Sequence, residues 1–179
     1  MSRSICRILC KAAILLASSL GLLSIIASGQ TDPIEKGWKG ILPLQSTRAD
    51  VEKAFGKHFR IEPEGHHSYK TDDFVIQVNY VPGPCLPNPY NKAKVNAPAG
   101  TVLDTWIYLN KLILISDLNF NRAGYQRIIN KEDSNDISYV SSEAGITIGA
   151  MIFPDKKENV VTITYRPTEK SKARFACPD

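Results

Sequence analysis

The sequence predicts an α+β domain, built mainly as an antiparallel β-sheet with one or two short helices packed on one face. The clearest strand is Asp72–Val81, where apolar residues alternate with a period of two. Only one segment, around Thr47–Asp50, has a well-marked helix start. Most strand-like segments follow one another through turn-length gaps, which favours antiparallel pairing over parallel crossovers.

Residues 1–29 are predicted to form a signal peptide that is cleaved before Gln30. Three cations and no anion precede an uncharged stretch at 12–26, and small residues follow just before the cleavage point. The uncharged stretch is shorter than the ~20 apolar residues that span a bilayer, which favours cleavage over the alternative of a retained anchor. We therefore expect a secreted or periplasmic protein whose single domain, 30–179, has no stable membrane insertion after cleavage.

The signal peptide also accounts for much of the chain's basicity. It contains three of the cations behind the formal charge of +4, so the remaining body is nearly neutral. Nucleic-acid-binding proteins normally carry a clustered basic surface, so no nucleic acid is expected as a partner. The body keeps Cys85 and Cys177, which we predict to form a disulfide because export leads to an oxidising compartment. The alternative, a reactive thiol pair, lacks the C-x-x-C spacing.

The predicted helix follows a polar lead-in that contains Trp38. Thr47 is the expected N-cap and Asp50 falls at the third helical position, close to a capping-box arrangement. Val51 begins an apolar face and Gly56 is expected to end the helix after ~8–9 residues. A helix this short depends on packing for its stability.

A hairpin and a long loop are predicted next. His58–Glu62 and His66–Lys70 flank a Pro-Glu-Gly turn and precede the strand Asp72–Val81. Residues Pro82–Pro98 contain five of the eleven prolines and form the one long loop. Loops of this length are usually functional or tethered.

The second half of the chain is predicted to be mostly β-strand. Thr101–Leu109 and Leu112–Ile115 read as a hairpin around Asn110 and Lys111, and Asn119–Asn130 as a helical turn. The remaining predicted strands are Ile137–Val140, Gly145–Phe153 and Val160–Arg166.

Few residues are candidates for chemistry. The sequence contains no H-E-x-x-H, G-x-S-x-G or P-loop motif, so no catalytic residue, metal ligand or cofactor is predicted. The alternative is a metal-dependent or other hydrolase that uses the region of His58, His66 and His67 together with Asp73. Since successive strand residues point to opposite faces, His66 and His67 are better interpreted as polar hairpin residues.

Aromatic residues favour binding over catalysis. Tyr90, Trp38 and Trp106 are the predicted binding residues, because aromatic side chains are enriched at protein interfaces. Trp106 and its neighbour Tyr108 are also interpretable as ordinary strand residues. Tyr90 is hard to bury in its proline-rich surroundings, so the predicted contact surface includes the Pro82–Pro98 loop.

The stretch Trp38–Glu52 resembles a family of small exported bacterial proteins of unknown function, found mainly in acidobacteria. The likeness continues at 72–85, 95–103, 116–118, 139–148 and 165–177. It implies no activity, and it places both cysteines at matching positions, which supports their pairing. The family usually has Gly-Pro after its helix, whereas this chain has Gly56 followed by Lys57.

A shorter likeness covers Leu44–Lys57. Its helix start, Thr47–Val51, and its ending, Phe55–Lys57, are similar to SmpA/OmlA-like outer-membrane assembly lipoproteins, although this chain lacks their lipid-bearing cysteine. The resemblance implies an SmpA/OmlA or β-lactamase-inhibitor-protein-like fold, with short helices on an antiparallel sheet and a function through protein contacts.

The expected function is therefore that of an exported, non-catalytic protein-binding module of the envelope or extracellular space. Its expected partner is an envelope or extracellular protein whose identity the sequence does not give. A structural envelope component is the other alternative, beside the hydrolase.

Overall fold

The fold is organised around one antiparallel sheet of eight strands. The computed structural model describes residues 33–63 and 65–178, so the predicted signal peptide lies outside the described residues. The strands are β1 (Arg60–Ile61), β2 (His67–Lys70), β3 (Phe74–Tyr80), β4 (Val102–Leu114), β5 (Gln126–Ile129), β6 (Asp136–Ser141), β7 (Ile146–Ile152) and β8 (Glu158–Tyr165). Their order is β1-β2-β3-β4-β8-β7-β6-β5, two four-stranded meanders joined where β4 pairs with β8.

Helices make up a small part of the described chain. They are α1 (Arg48–Phe55) and α2 (Glu169–Arg174), with 3-10 turns at Ile34–Lys36, Ile115–Asp117 and Arg122–Gly124. Among the residues that the structure describes, no helix combines the length and the apolar character needed to cross a bilayer.

The predicted α+β architecture is wrong, because the sheet dominates and the helices do not form a layer over it. The eight-residue α1 buries only Val51, and α2 buries none of its residues. Side chains of the N-terminal segment, including Ile34, Trp38 and Ile41, join the main core instead. The SmpA/OmlA or β-lactamase-inhibitor-protein-like arrangement that the resemblance implied fails for the same reason.

The main core is a row of side chains that crosses the sheet. Paired positions in six neighbouring strands carry buried apolar or aromatic residues, namely Tyr69, Ile76, Ile107, Ile163, Ile148 and Tyr139. Because side chains alternate between faces, this row places the intervening residues of each strand on the opposite face. The opposite face carries the candidate site described below.

The predicted start of α1 is confirmed. Thr47 is the N-cap, and its hydroxyl accepts a hydrogen bond from the Asp50 backbone N–H. The Asp50 carboxylate in turn accepts a 2.8 Å bond from the Thr47 backbone N–H, which completes a capping box. This backbone bond, together with a second one that the Thr47 hydroxyl donates to the same carboxylate, lowers the pKa of Asp50. Gly56, with φ of +81°, follows the last helical residue.

Replacing Thr47 with alanine should lower the free energy of unfolding by ~1 kcal/mol, because the Asp50 backbone N–H loses its hydroxyl acceptor and the Asp50 carboxylate loses the hydroxyl donor. Urea denaturation followed by circular dichroism measures the change. Thr162→Ala, at a half-buried strand position, is a threonine control outside any helix cap. An unchanged midpoint for Thr47→Ala would show that the capping box does not stabilise the fold.

One local prediction in the second half is wrong, and two elements there were not predicted. Val102–Leu114 is one strand rather than a hairpin. It continues because Asn110 donates a 2.8 Å backbone hydrogen bond to Asp73, and Lys111 pairs with the same residue at 2.7 Å. The helical turn predicted within 119–130 is present as the 3-10 turn Arg122–Gly124. The strand β5 that follows this turn and the helix α2 after the last strand were not predicted. Thr168, which caps α2 by accepting from the Ser171 N–H, is the local signal for that helix.

Candidate functional site

The proline-rich loop at 82–98 is held in place by hydrogen bonds within the loop. The Cys85 N–H donates to the Val95 carbonyl at 2.8 Å, and the Asn88 N–H donates to the Ala93 carbonyl at 2.9 Å. These bonds bring the two arms of the loop together. The loop is therefore ordered by its own hydrogen bonds, although its prolines lack backbone N–H donors.

Asn88 orients the tip of this loop. Its side-chain amide donates to the Tyr80 carbonyl at the end of β3, at 3.1 Å. Its side-chain oxygen accepts from the backbone N–H groups of Tyr90 and Asn91, at 2.9 and 3.2 Å. An Asx turn of this kind fixes the backbone that presents Tyr90.

The predicted disulfide between Cys85 and Cys177 is confirmed, with 5.6 Å between the two Cα atoms. It ties the loop to the segment after α2, and the Asn96 N–H adds a 2.8 Å hydrogen bond to the Phe175 carbonyl. A small second core lies under this connection and consists of Leu44, Val81, Val95, Ala97 and Leu103, with Ala93 and Phe175 packed against it. The disulfide and this core hold the loop and the C-terminal segment together.

A groove of about 520 Å³ lies between the loop, the sheet and the C-terminal segment. Such a volume is within the usual range for ligand sites. The side chains that give the groove its chemistry are Tyr90, Lys94, Asp104, Trp106, Arg166 and Lys172.

Tyr90 and Trp106 come together at one wall of the groove. Their ring centroids are 5.7 Å apart with planes at 83°, an edge-to-face contact. His66 packs against both rings, with centroid distances of 4.3 Å to Tyr90 and 5.2 Å to Trp106. Tyr90 nevertheless remains 46% exposed, whereas Trp106 is half-buried. The wall thus has one accessible ring supported by two others.

Trp38 lies elsewhere. It is 5% exposed and its ring makes an edge-to-face contact with Phe74 at 5.6 Å, within the main core. The structure therefore places two of the three predicted binding residues at the groove and the third in the core on the other face of the sheet.

Asp104 is a buried carboxyl at the groove that the sequence interpretation missed. It is 4% exposed, and its Oδ2 accepts a 3.2 Å hydrogen bond from the side-chain amide of Asn91. Burial raises the pKa of Asp104 to about 6, while the neighbouring Asn79 side chain and the charge of Arg166 act in the opposite direction. A single carboxylate inside the apolar strand pattern of β4 was the available signal for this residue.

The three histidines are divided between the two faces of the sheet. His67 is on the main-core face, where its ring lies 4.8 Å from that of His58, and His66 is at the groove. Arg48 donates to His67 Nε2 at 3.3 Å. Burial, Arg48 and His58, in that order, lower the pKa of His67 to about 4. Within the described part of the chain, no three His, Cys, Asp or Glu side chains are placed to share a metal ion.

Comparison with solved structures gives only distant likenesses. No family model and no curated protein matches the chain. A DUF4309 family protein from Bacillus subtilis superposes with a TM-score of 0.40 and 14% identity, over 72% of this chain and 84% of that one. A cysteine-rich secretory protein from Staphylococcus aureus superposes with a TM-score of 0.37 and 11% identity. That match covers 78% of this chain and 47% of the staphylococcal protein.

Proposed function

We propose that this chain is an exported, non-catalytic protein-binding module of the envelope or extracellular space. Its contact surface is the groove together with Tyr90. One observation carries the proposal: a tyrosine that is 46% exposed is presented by a loop that an asparagine, a disulfide and a small core hold in place. A preorganised aromatic side chain loses little conformational entropy when it enters a partner's surface.

Two further observations support this role. The basic and then apolar N-terminus has the order of an export signal. The disulfide fits an oxidising compartment, where such bonds form and persist. Tyrosine and tryptophan, which form the groove wall, are also the residue types that most often dominate binding energy at protein interfaces.

Tyr90→Ala is expected to reduce capture of the partner about tenfold, which corresponds to a loss of ~1.4 kcal/mol of binding free energy. The measurement is quantitative cross-linking and affinity capture from the native envelope fraction, with the wild-type chain as bait. Phe59→Ala is a matched control, because Phe59 is 56% exposed and is not among the residues lining the groove.

The proposal requires one protein that is captured in amounts near those of the bait and is lost on Tyr90→Ala but kept on Phe59→Ala. Equal recovery by wild type and Tyr90→Ala would contradict it. That outcome would favour a structural envelope component, for which substitutions in the loop have no effect on capture.

A further inference from the structure

The groove carries an excess of positive charge. Lys94, Arg166 and Lys172 line it, against the single carboxyl of Asp104. The Lys172 ammonium already forms a 2.6 Å ion pair with the Glu169 carboxylate. Within residues 33–63 and 65–178, Lys94 and Arg166 form no ion pair at 4.0 Å or less, and both are exposed. Two cations at the groove are therefore available to an incoming anion.

Arg166 and Asp104 differ in their suitability as ligand contacts. A guanidinium presents several donors in one plane and binds carboxylates in a bidentate manner. The Asp104 carboxyl is buried and already accepts from Asn91, so it is part of the floor rather than the rim. Its raised pKa also reduces the negative charge that it presents at mildly acidic pH.

Apart from Asn91 and the Tyr90 hydroxyl, the remaining lining is apolar. Trp106 supplies a half-buried ring, and Val95 and Leu103 belong to the small core below the groove. A ligand that fills this site thus gains both by burying an apolar group against Trp106 and by placing an acidic group near Arg166. Peptides in which acidic and large apolar residues alternate combine the two requirements.

We infer that the partner places an acidic peptide segment in this groove, with a carboxylate at Arg166 and Lys94 and an apolar side chain against Trp106. The inference rests on the proposed function, because it gives the chemistry of the partner at the same surface. Charge complementarity selects the acidic segment over a neutral or basic one.

The test uses three blocked, fluorescein-labelled hexapeptides that alternate Phe with Asp, with Asn or with Lys. Fluorescence anisotropy with the purified domain is expected to show binding of the Asp peptide at least about tenfold tighter than that of the Asn peptide, and none of the Lys peptide. The affinity for the Asp peptide should fall as salt rises from 0.05 to 0.5 M, because its exposed charges are screened.

The double variant Arg166→Gln/Lys94→Gln should lose that preference for the Asp peptide. Lys131→Gln/Lys156→Gln, which removes two exposed cations that do not line the groove, should keep it. Equal binding of the Asp and Asn peptides, no binding of the Asp peptide at millimolar concentration, or an unchanged preference in the double variant would each overturn the inference.

Affinity capture with the double variant separates this inference from the proposed function. A partner that depends on Tyr90 but is retained by Arg166→Gln/Lys94→Gln would contradict the acidic segment and leave the binding module intact. Binding of the Asp peptide without any captured partner that depends on Tyr90 would support the acidic ligand of the groove and contradict the proposed binding module. Loss of the partner in both variants supports both proposals.

Discussion

Replacing Cys85 and Cys177 together by serine should lower the free energy of unfolding by about 4–5 kcal/mol. The two cysteines are 92 positions apart, and in the chain-entropy model a cross-link over a loop of this length restricts the unfolded state by that amount. Two of the five buried residues of the small core, Val95 and Ala97, lie on the loop that the bridge tethers. The serine variant is therefore expected to loosen the loop as well as to destabilise the whole domain.

Urea denaturation of the oxidised wild type and of the double serine variant measures the difference. Dithiothreitol should shift the wild type towards the variant and leave the variant unchanged, which separates loss of the bridge from the effect of the serine side chains. A loss of less than ~1 kcal/mol would contradict the expectation.

The groove should respond to the bridge more than the main core does. The disulfide joins two walls of the groove. Tyr90 lies on the wall formed by the loop that contains Cys85, and Lys172 lies on α2, just before Cys177. Without the bridge, the two walls are held mainly by the Asn96 to Phe175 hydrogen bond and the small core. Capture of the partner by the folded serine variant should therefore fall about tenfold or more under conditions where far-ultraviolet circular dichroism is unchanged. Unaltered capture would show that the bridge stabilises the fold without shaping the groove.

The sequence predicted features whose causes are local. The alternation in Asp72–Val81 marks β3 because the side-chain period of a strand is two. Thr47 and Asp50 mark the start of α1 because capping depends on residues three apart. The disulfide followed from the cysteine count once the predicted signal peptide was set aside.

The predictions that were wrong concern features that depend on contacts between residues far apart in the sequence. Apolar alternation along a strand shows that one face is buried but not what covers it, and a helix layer was assumed where Trp38 and other N-terminal residues pack. Likewise, Asn110 resembles a turn residue until its contact with Asp73, almost forty positions earlier, is known.

The candidate site was only partly predictable for the same reason. Tyr90 was predicted from its surroundings in the chain, whereas the groove requires β4, the loop and the segment after β8 to meet. Arg166 and Asp104 come from two of these elements, and no spacing in the sequence links them. Trp106 became a site residue rather than an ordinary strand residue because it faces away from the main core and against Tyr90.

Two buried groups should make opposite contributions to stability in the same pH range. The pKa of Asp104 is raised from 3.8 to about 6, so the folded state binds a proton that the unfolded state has already released, and stability falls as pH rises from about 4 to 6. The pKa of His67 is lowered from 6.5 to about 4, so the unfolded state binds the extra proton, and stability falls as pH drops from 6.5 to 4. Each contribution is on the order of 2–3 kcal/mol, so in the wild type they largely cancel.

Single substitutions should separate the two contributions. Asp104→Asn leaves His67 beside Arg48, His58 and Glu52, so the urea midpoint of this variant should fall markedly between pH 7 and pH 4.5. His67→Gln keeps an acceptor for Arg48 and leaves Asp104 with Asn79, Asn91 and Arg166, so its midpoint should instead rise over the same interval. Asp117→Asn, at an exposed carboxyl, should follow the wild-type profile. If the urea midpoints of Asp104→Asn and His67→Gln changed with pH in the same direction, the two opposite contributions would be contradicted. Only groups whose titrations affect stability with opposite sign can give pH dependences of opposite sign when each is removed.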